Sequence, residues 1–410
     1  MTTKIKHIIF FLIITFAAFG SEELWRGHFP DAELLFSYDA TLPVHDIASD
    51  TAGNIYILCS DSDSVYIHVI SRDGNLSRDV STPLGPTPNP QLLYIEVSRD
   101  GKTVLVCGQD IELKTPINYV LDEAGNDILP EDNVLKYAEW LQLSPSGNYF
   151  VSQGFDGLPT IQSIFNRNWE EVPLPYGKID AGYFLDSSPE GQDLLLATES
   201  DSIGKLLSLI ELPSAAEPAE TVEYAFKQYL PSDHNDIVPN RMFVCMCNDY
   251  IIITNPPSRS GTINGFEREN GKFSWYLGAA DLTYGIIKAT SSFDGEMACF
   301  IGRWCIQILK ENGVELSNLC EPVYDLSKPF FQPGVPNVSL WNDRRVLSVA
   351  LYIPWYVKPI RTILLGFDKD WNAYSPQELP YRIEGFYIHG EYLLAEVQGS
   401  KVNLYLLPEN

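Results

Sequence analysis

The chain has 410 residues, 45% of them hydrophobic and 12% aromatic, enough for two ordinary domains or one large all-β domain. Its formal net charge of −26 leaves no basic footprint for a nucleic-acid backbone or an anionic membrane surface. The acids are spread along the chain, so the charge reads as a solubility feature rather than a disordered acidic tail.

The first segment is MTTKIKH, carrying Lys4 and Lys6, followed by the apolar run IIFFLIITFAAFG and the acidic SEEL. A charged start, a short apolar stretch and small residues at its exit describe a secretory signal peptide. Ala18-Phe19-Gly20 supplies the small-x-small exit, which places cleavage before Ser21. The run falls short of the roughly 20 residues that span hydrocarbon, and no later stretch is long enough. The expected organisation is therefore a signal peptide over 1–20 and one domain over 21–410. The mature protein is secreted or periplasmic, with no membrane insertion after cleavage.

Beyond Ser21 a hairpin recurs: SDTAGNIYILCS (49–60), SRDGKTVLVCG (98–108), SPSGNYFVSQG (144–154), SPEGQDLLLAT (188–198) and SFDGEMACFIG (292–302). Each has a Ser, a turn Gly (53, 101, 147, 191 and 295) and a buried-type apolar run. Three weaker copies carry Asn248-Asp249, Asn342-Asp343 and Gly390 at the turn. Asn and Asp tolerate the left-handed backbone better than other residues with side chains. Eight units at roughly a 40–50-residue period fit propeller blades, or seven blades if one weak unit is irregular.

A second series of turns lies between the first: SRDGN (71–75), DEAGN (122–126), FNRNW (165–169), ERENGK (267–272), KENGV (310–314) and FDKDW (367–371). Two hairpins per unit give four strands, one blade of a β-propeller. The segment NVLKYAEWLQL (133–143) has a helical look but fits an innermost strand equally well. The last unit supplies only three strands, whereas AELLFSYDA (32–40) is an orphan strand ahead of the first. The orphan is expected to complete the last blade and close the ring, which removes an exposed sheet edge.

The Ser-x-Asp-Gly-Lys hairpin series resembles the WD40-like and YVTN-type β-propellers of exported bacterial proteins, over nearly the whole mature chain. The Gly-His and Trp-Asp dipeptides of strict WD40 repeats are absent. GFERENGKFSW (265–275) is similar to the tryptophan-docking motif of quinoprotein-like eight-bladed propellers, and FNRNW and FDKDW echo it. That resemblance implies a Trp packed between neighbouring blades. The adjacent cysteine pair of the cofactor-binding quinoproteins is replaced here by Cys245-Met246-Cys247.

Seven cysteines leave at least one unpaired within the chain. Cys59, Cys107, Cys245, Cys247 and Cys299 sit in apolar runs and read as buried thiols. Cys299 and Cys305 flank a tight hairpin in CFIGRWC and are the one local disulfide candidate.

Candidate function lies in loops. Trp355, Tyr356, Lys358 and Arg361 (YIPWYVKPIRT), with Phe330 and Phe331 (SKPFFQPGVPN), form neighbouring aromatic and basic loops suited to anchoring a partner. The plain alternative is that these rings seal gaps between blades. His45 and His389 fall on the inner strands of units one and eight and are candidates for the central channel. Asp61, Asp63, Asp110, Asp156, Glu199 and Asp201 follow the second strands. No cofactor is expected, although calcium is the ion such acids could hold; they lack the ligand spacing of a calcium loop. No nucleophile elbow, HExxH helix or phosphate loop occurs. The expected function is a non-enzymatic module binding a protein, small-molecule or carbohydrate partner. The alternative is an enzyme with a loop-built site at the channel, of lactonase-like or quinoprotein-like type.

Overall fold

A computed structural model describes residues 25–61, 64–83, 90–110, 116–138, 140–153, 163–173, 179–185, 192–200, 205–213, 223–229, 243–254, 262–278, 286–302, 306–319, 337–351, 361–388 and 390–408. The described residues form eight antiparallel sheets, six of four strands and two of three. Each sheet is a blade whose strands follow one another from inside to outside. The inner strands are Val44–Ser49, Pro90–Val97, Trp140–Leu143, Ile179–Phe184, Phe243–Met246, Ile286–Ser291, Asn337–Trp341 and Arg382–Ile388, which number blades 1 to 8.

The strands carry near-continuous apolar runs because both faces of each blade are covered. In blade 1, Ile55, Ile57 and Cys59 face blade 8, whereas Tyr56 and Leu58 face blade 2. Eight clusters of buried side chains result, each filling one junction between consecutive blades. The last of these joins blade 8 to blade 1 through Leu393, Ala395 and Leu404 against Ile47, Ile55 and Ile57.

The orphan strand does what its sequence predicts. Glu33–Asp39 pairs antiparallel with Lys401–Leu407, running from Glu33↔Leu406 to Asp39↔Lys401, and is the outer strand of blade 8. Five of the first-series turns are as expected, with Gly53, Gly101, Gly147, Gly295 and Gly390 at φ between 69° and 85°. Gly191 lies outside the described residues, and neither Asn248 nor Asp249 takes the expected left-handed backbone in blade 5. Blade 7 differs in detail, because its left-handed residue is Arg345 (φ 51°) rather than Asn342 or Asp343. Its turn closes with the same span as the glycine turns, Arg345 N–H donating to Asn342 O at 3.0 Å.

Blades 2 and 3 depart from four strands. In blade 2 the fourth strand shrinks to a bridge, Leu121↔Asp127. The Asp127 carboxylate accepts from Val120 N (3.2 Å) and Leu129 N (3.1 Å), so a side chain takes the place of ladder bonds, and Pro130 has no N–H to extend them. The chain then makes a 3₁₀ turn, Val134–Tyr137, capped by Asn133 Oδ1 on Leu135 N (2.9 Å), and enters the inner strand of blade 3. NVLKYAEWLQL is thus a helical turn and a strand in succession. Blade 3 likewise keeps only the bridge Phe165↔Glu171.

The second-series turns meet the preceding blade. A side chain from that blade's outer strand rests on the turn glycine: Phe36 on Gly74, Val80 on Gly125, Phe226 on Gly271 and Trp275 on Gly313. The Trp275 ring also lies over Gly265 of its own blade, where a Cβ would stand 2.1 Å from it. Trp275 therefore packs between blades, as its motif implies. The FNRNW and FDKDW segments are not equivalent to it. Trp169 (φ 66°) and Trp371 (φ 63°) occupy the left-handed turn position that glycine holds elsewhere. Each ring reaches into the junction with the preceding blade, against Phe150 (5.1 Å) and Phe367 (5.3 Å). For a bulky residue that backbone costs on the order of 1–3 kcal/mol, offset by the ring's burial.

The residues just before the orphan strand hold a feature their sequence did not announce. Trp25 and Phe29 are fully buried between blades 7 and 8. Trp25 meets Tyr405 edge-on at 4.9 Å and Phe29 meets Trp341 at 5.0 Å. Arg344 of blade 7 ties the segment down with two bonds to Asp31 (2.5 and 3.0 Å) and one to Pro408 O (2.6 Å).

Cys59, Cys107, Cys247 and Cys299 are free and buried, Cys245 is buried as well, and burial pushes the Cys59 and Cys247 thiols up to about 12. The strand register sets Cys299 opposite Ile308, and Ile301 opposite Ile306. Cys299 is a free thiol, and Cys305, its expected partner, lies outside the described residues.

Candidate functional site

An inner strand has one free edge, and its backbone N–H groups there need acceptors. At four junctions a polar side chain of the preceding inner strand supplies one. Asp46 Oδ2 accepts from Ile95 N (2.9 Å), and Glu96 Oε2 from Leu143 N (2.7 Å). Gln142 Oε1 accepts from Phe184 N (2.9 Å), and Ser339 Oγ from Gly385 N (2.8 Å). These inner strands are thus laced to their neighbours, in three cases by a polar residue set singly between apolar ones: Ile-Glu96-Val, Leu-Gln142-Leu and Val-Ser339-Leu, whereas Asp46 follows His45. That isolation is the signal that could have found the three.

Blade 8 meets blade 1 through charge. Arg382 Nη1 donates to His45 O at 2.7 Å, Nη2 to Asp46 Oδ1, and Nε to Glu384 Oε1. The three side chains are buried. Burial opposes the charged guanidinium, but the Glu384 and Asp46 carboxylates override it and hold Arg382 well above its ordinary value. Neither Asp46 nor Arg382 is free to serve a ligand.

His45 sits beside this cluster, its Nε2 2.7 Å from Ser60 Oγ. Burial pushes its pKa down to about 4; Asp46 pulls upward and Arg382 downward. It is neutral at neutral pH, and a base that weak is a poor proton acceptor for Ser60. Arg382, at the start of its strand, is the inner-strand residue that meets His45. Ile388 lies at Gly53, beyond the far end of the blade 1 inner strand. His389 follows Ile388 and lies outside the described residues.

Trp355, Tyr356, Lys358, Phe330 and Phe331 also lie outside the described residues. Arg361 opens the strand Arg361–Gly366. Of the acids, Asp61 accepts from Ser64 N (2.8 Å) and Tyr66 OH (3.0 Å), the bonds of a closed turn. Among the described residues no three His, Cys, Asp or Glu side chains gather to hold a metal ion.

The sequence reading passed over an aromatic platform at the turn end of blade 8. Tyr387 and Tyr392 are cross-strand partners with rings 4.9 Å apart, and Tyr387 is 50% exposed. Phe293, from the blade 6 turn, stands 5.9 Å from Tyr392 and 5.7 Å from Trp341 of blade 7. Gly385 makes room: a Cβ there would lie 2.6 Å from both the Phe293 and Trp341 rings. Beside Phe293, the carboxylates of Asp294 and Glu296 converge on the Asn342 amide (2.6 and 3.2 Å).

No protein-family model matches the chain, and no curated protein matches it. Solved structures do. The Dos1 propeller superposes with a TM-score of 0.50 at 12% identity, covering 93% of this chain and 96% of its own. Sqt1 of Saccharomyces cerevisiae gives 0.49 at 10% identity, covering 92% and 100%. At such identity the likeness speaks to architecture alone, and with the eight blades described above it establishes a β-propeller fold.

Proposed function

We propose that the chain is an exported β-propeller of the bacterial WD40-like and YVTN type that acts as a rigid binding module. The observation that carries this reading is where its polar groups are spent. The inner-strand residues best placed for chemistry, Asp46, Glu96, Gln142 and Arg382, hold blades together. Large aromatic side chains stand instead at the ends of blades, where partners are met. The partner is a protein or a small molecule, recognised at the ends of the blades rather than in the channel wall. Export follows from the apolar leader, with Ser21 as the first mature residue.

Two measurements test the reading. N-terminal sequencing of the protein recovered outside the cytoplasm should begin at Ser21; a mature protein that retains the leader counts against export in this form. Cross-linking from the exposed loops, followed by Trp355→Ala with Phe330→Ala, and separately Tyr387→Ala, should show which end of the blades loses the partner. A partner retained by both variants removes the aromatic anchors from the reading. The rival enzyme reading rests on the His45–Ser60 contact. A fluorophosphonate that labels Ser60 in the folded protein would favour it, and we expect no labelling.

A further inference from the structure

We infer that the aromatic platform of blades 6 to 8 is a docking site for a lysine-bearing segment of a partner protein. The inference rests on the binding-module reading and gives that module a surface and a partner chemistry.

The first ground is the platform itself. Tyr387 exposes half its surface at the end of an inner strand, where a hairpin needs no large ring. Its neighbours are fixed. Tyr392 is held by Phe293, Phe293 leans on Trp341, and Trp341 belongs to the buried cluster between blades 7 and 8. The glycine at 385 lets two rings cross the inner strand. A partner would therefore meet rings already ordered, with little further entropy lost on binding.

Charge is the second ground. Asp294 and Glu296 share the neutral Asn342 amide, Asp294 accepts besides from the Ser292 hydroxyl and Glu296 N–H, and no basic side chain bonds either carboxylate among the described residues. Glu391, beside Tyr392, differs, because Arg72 pairs with it. Uncompensated negative charge thus lies at the Phe293 edge of the platform. Ring faces carry negative potential and attract a cation that brings apolar methylenes with it. An alkylammonium satisfies both features: its stem covers the rings while its head reaches the carboxylates. The net charge of −26 favours approach of a basic partner from any side, so the aromatic contribution must be measured apart from it.

The test uses the purified protein and a fluorescent nonapeptide of alternating Lys and Ser, followed by anisotropy at two salt concentrations. Saturable binding is expected, and loss of it when the lysines are acetylated. Tyr387→Ala leaves the protein's charge unchanged and should weaken binding about three- to five-fold at both salts, the scale of an exposed cation–ring contact. Asp294→Asn with Glu296→Gln should weaken it further and flatten its salt dependence. Absence of saturable binding overturns the proposal. So does binding that Tyr387→Ala leaves unchanged, which would mean that bulk charge alone draws the peptide; the module reading would survive that result, since it is tested by its own partner. Should Tyr387→Ala misfold, Glu296→Gln at an exposed position carries the same test, with an unchanged salt slope as the refuting result.

Discussion

Replacing Arg382 by Met tests the charged junction between blades 8 and 1. The substitution keeps an apolar stem of similar length and removes one cation from between Asp46 and Glu384. Asp46 retains the Ile95 N–H, so Glu384, whose side chain is 5% exposed, suffers more. A buried carboxylate that loses the cation beside it either stays ionised at high cost or takes up a proton. Proton uptake sets the ceiling. From an ordinary value near 4.3, protonation at pH 7 costs about 3.7 kcal/mol, and at pH 5 about 1 kcal/mol. The sign follows: the variant's folded state binds a proton that its unfolded state does not, so its deficit shrinks as pH falls. Arg382→Met should therefore lose about 3–4 kcal/mol at pH 7, within the range for a broken buried pair, and recover about 2–3 kcal/mol of it at pH 5. Urea denaturation at the two pH values reads both numbers. Adding Glu384→Gln should restore most of the loss at pH 7, because the uncompensated charge is gone. Arg382→Lys should not, since an ammonium cannot reach His45 O, Asp46 and Glu384 from one rigid fork. A loss below about 1 kcal/mol at pH 7 with no pH dependence would refute the argument.

Three further outcomes are expected. His45 is held neutral at a pKa lowered to about 4, so the unfolded chain takes up a proton first as pH falls below 6.5. Stability should drop between pH 6.5 and 4 by no more than about 3 kcal/mol, and thermal denaturation of His45→Gln should show a shallower slope over that window. Trp25→Ala removes a fully buried ring and should cost about 3–5 kcal/mol in urea denaturation, although the residue lies outside every repeat. Gly271→Ala and Gly390→Ala form a pair. Both place a side chain at positive φ, costing about 1–2 kcal/mol, but only Gly271 would drive its Cβ to 2.2 Å from the Phe226 ring. Gly271→Ala should therefore exceed Gly390→Ala by about 1–3 kcal/mol, and equal losses would count against the packing account.

How much of this was legible in the sequence depends on the range of the interaction. Turns are local, so Gly53, Gly101, Gly147 and Gly295 announced themselves through the four or five residues around them. Strand 32–40 was legible because the last unit was one strand short. The polar lacing was not. Asp46 bonds Ile95 at a separation of 49 residues, and Arg382 bonds Asp46 at 336. A lone Asp in VHDIAS looks the same whether it faces an open channel or caps a neighbouring strand. The aromatic platform was missed for a related reason: Phe293, Trp341 and Tyr392 come from three consecutive blades, and only the stacking of those blades brings them together. FNRNW was legible in part: its motif announced a Trp packed between blades, but not the left-handed backbone that carries it.

The two kinds of junction differ in which blade fills them. Where the preceding outer strand supplies Phe36, Val80, Phe226 or Trp275, the turn has glycine. In blade 3 the preceding outer strand has contracted to a bridge, and the turn supplies Trp169 instead, strained backbone included. Blade 7 also places a Trp at this turn, although the outer strand Glu315–Leu319 before it is complete and Leu316 and Leu319 share the junction with Trp371. A missing strand is therefore not what selects the Trp; the ring's own packing is. Trp169→Gly would relieve the backbone and still destabilise, because Phe150 would lose the ring stacked on it. The lost burial, about 3–5 kcal/mol for a large ring, exceeds the strain of about 1–3 kcal/mol that glycine removes. A Trp169→Gly protein as stable as the parent in urea would show that the strained turn covers nothing.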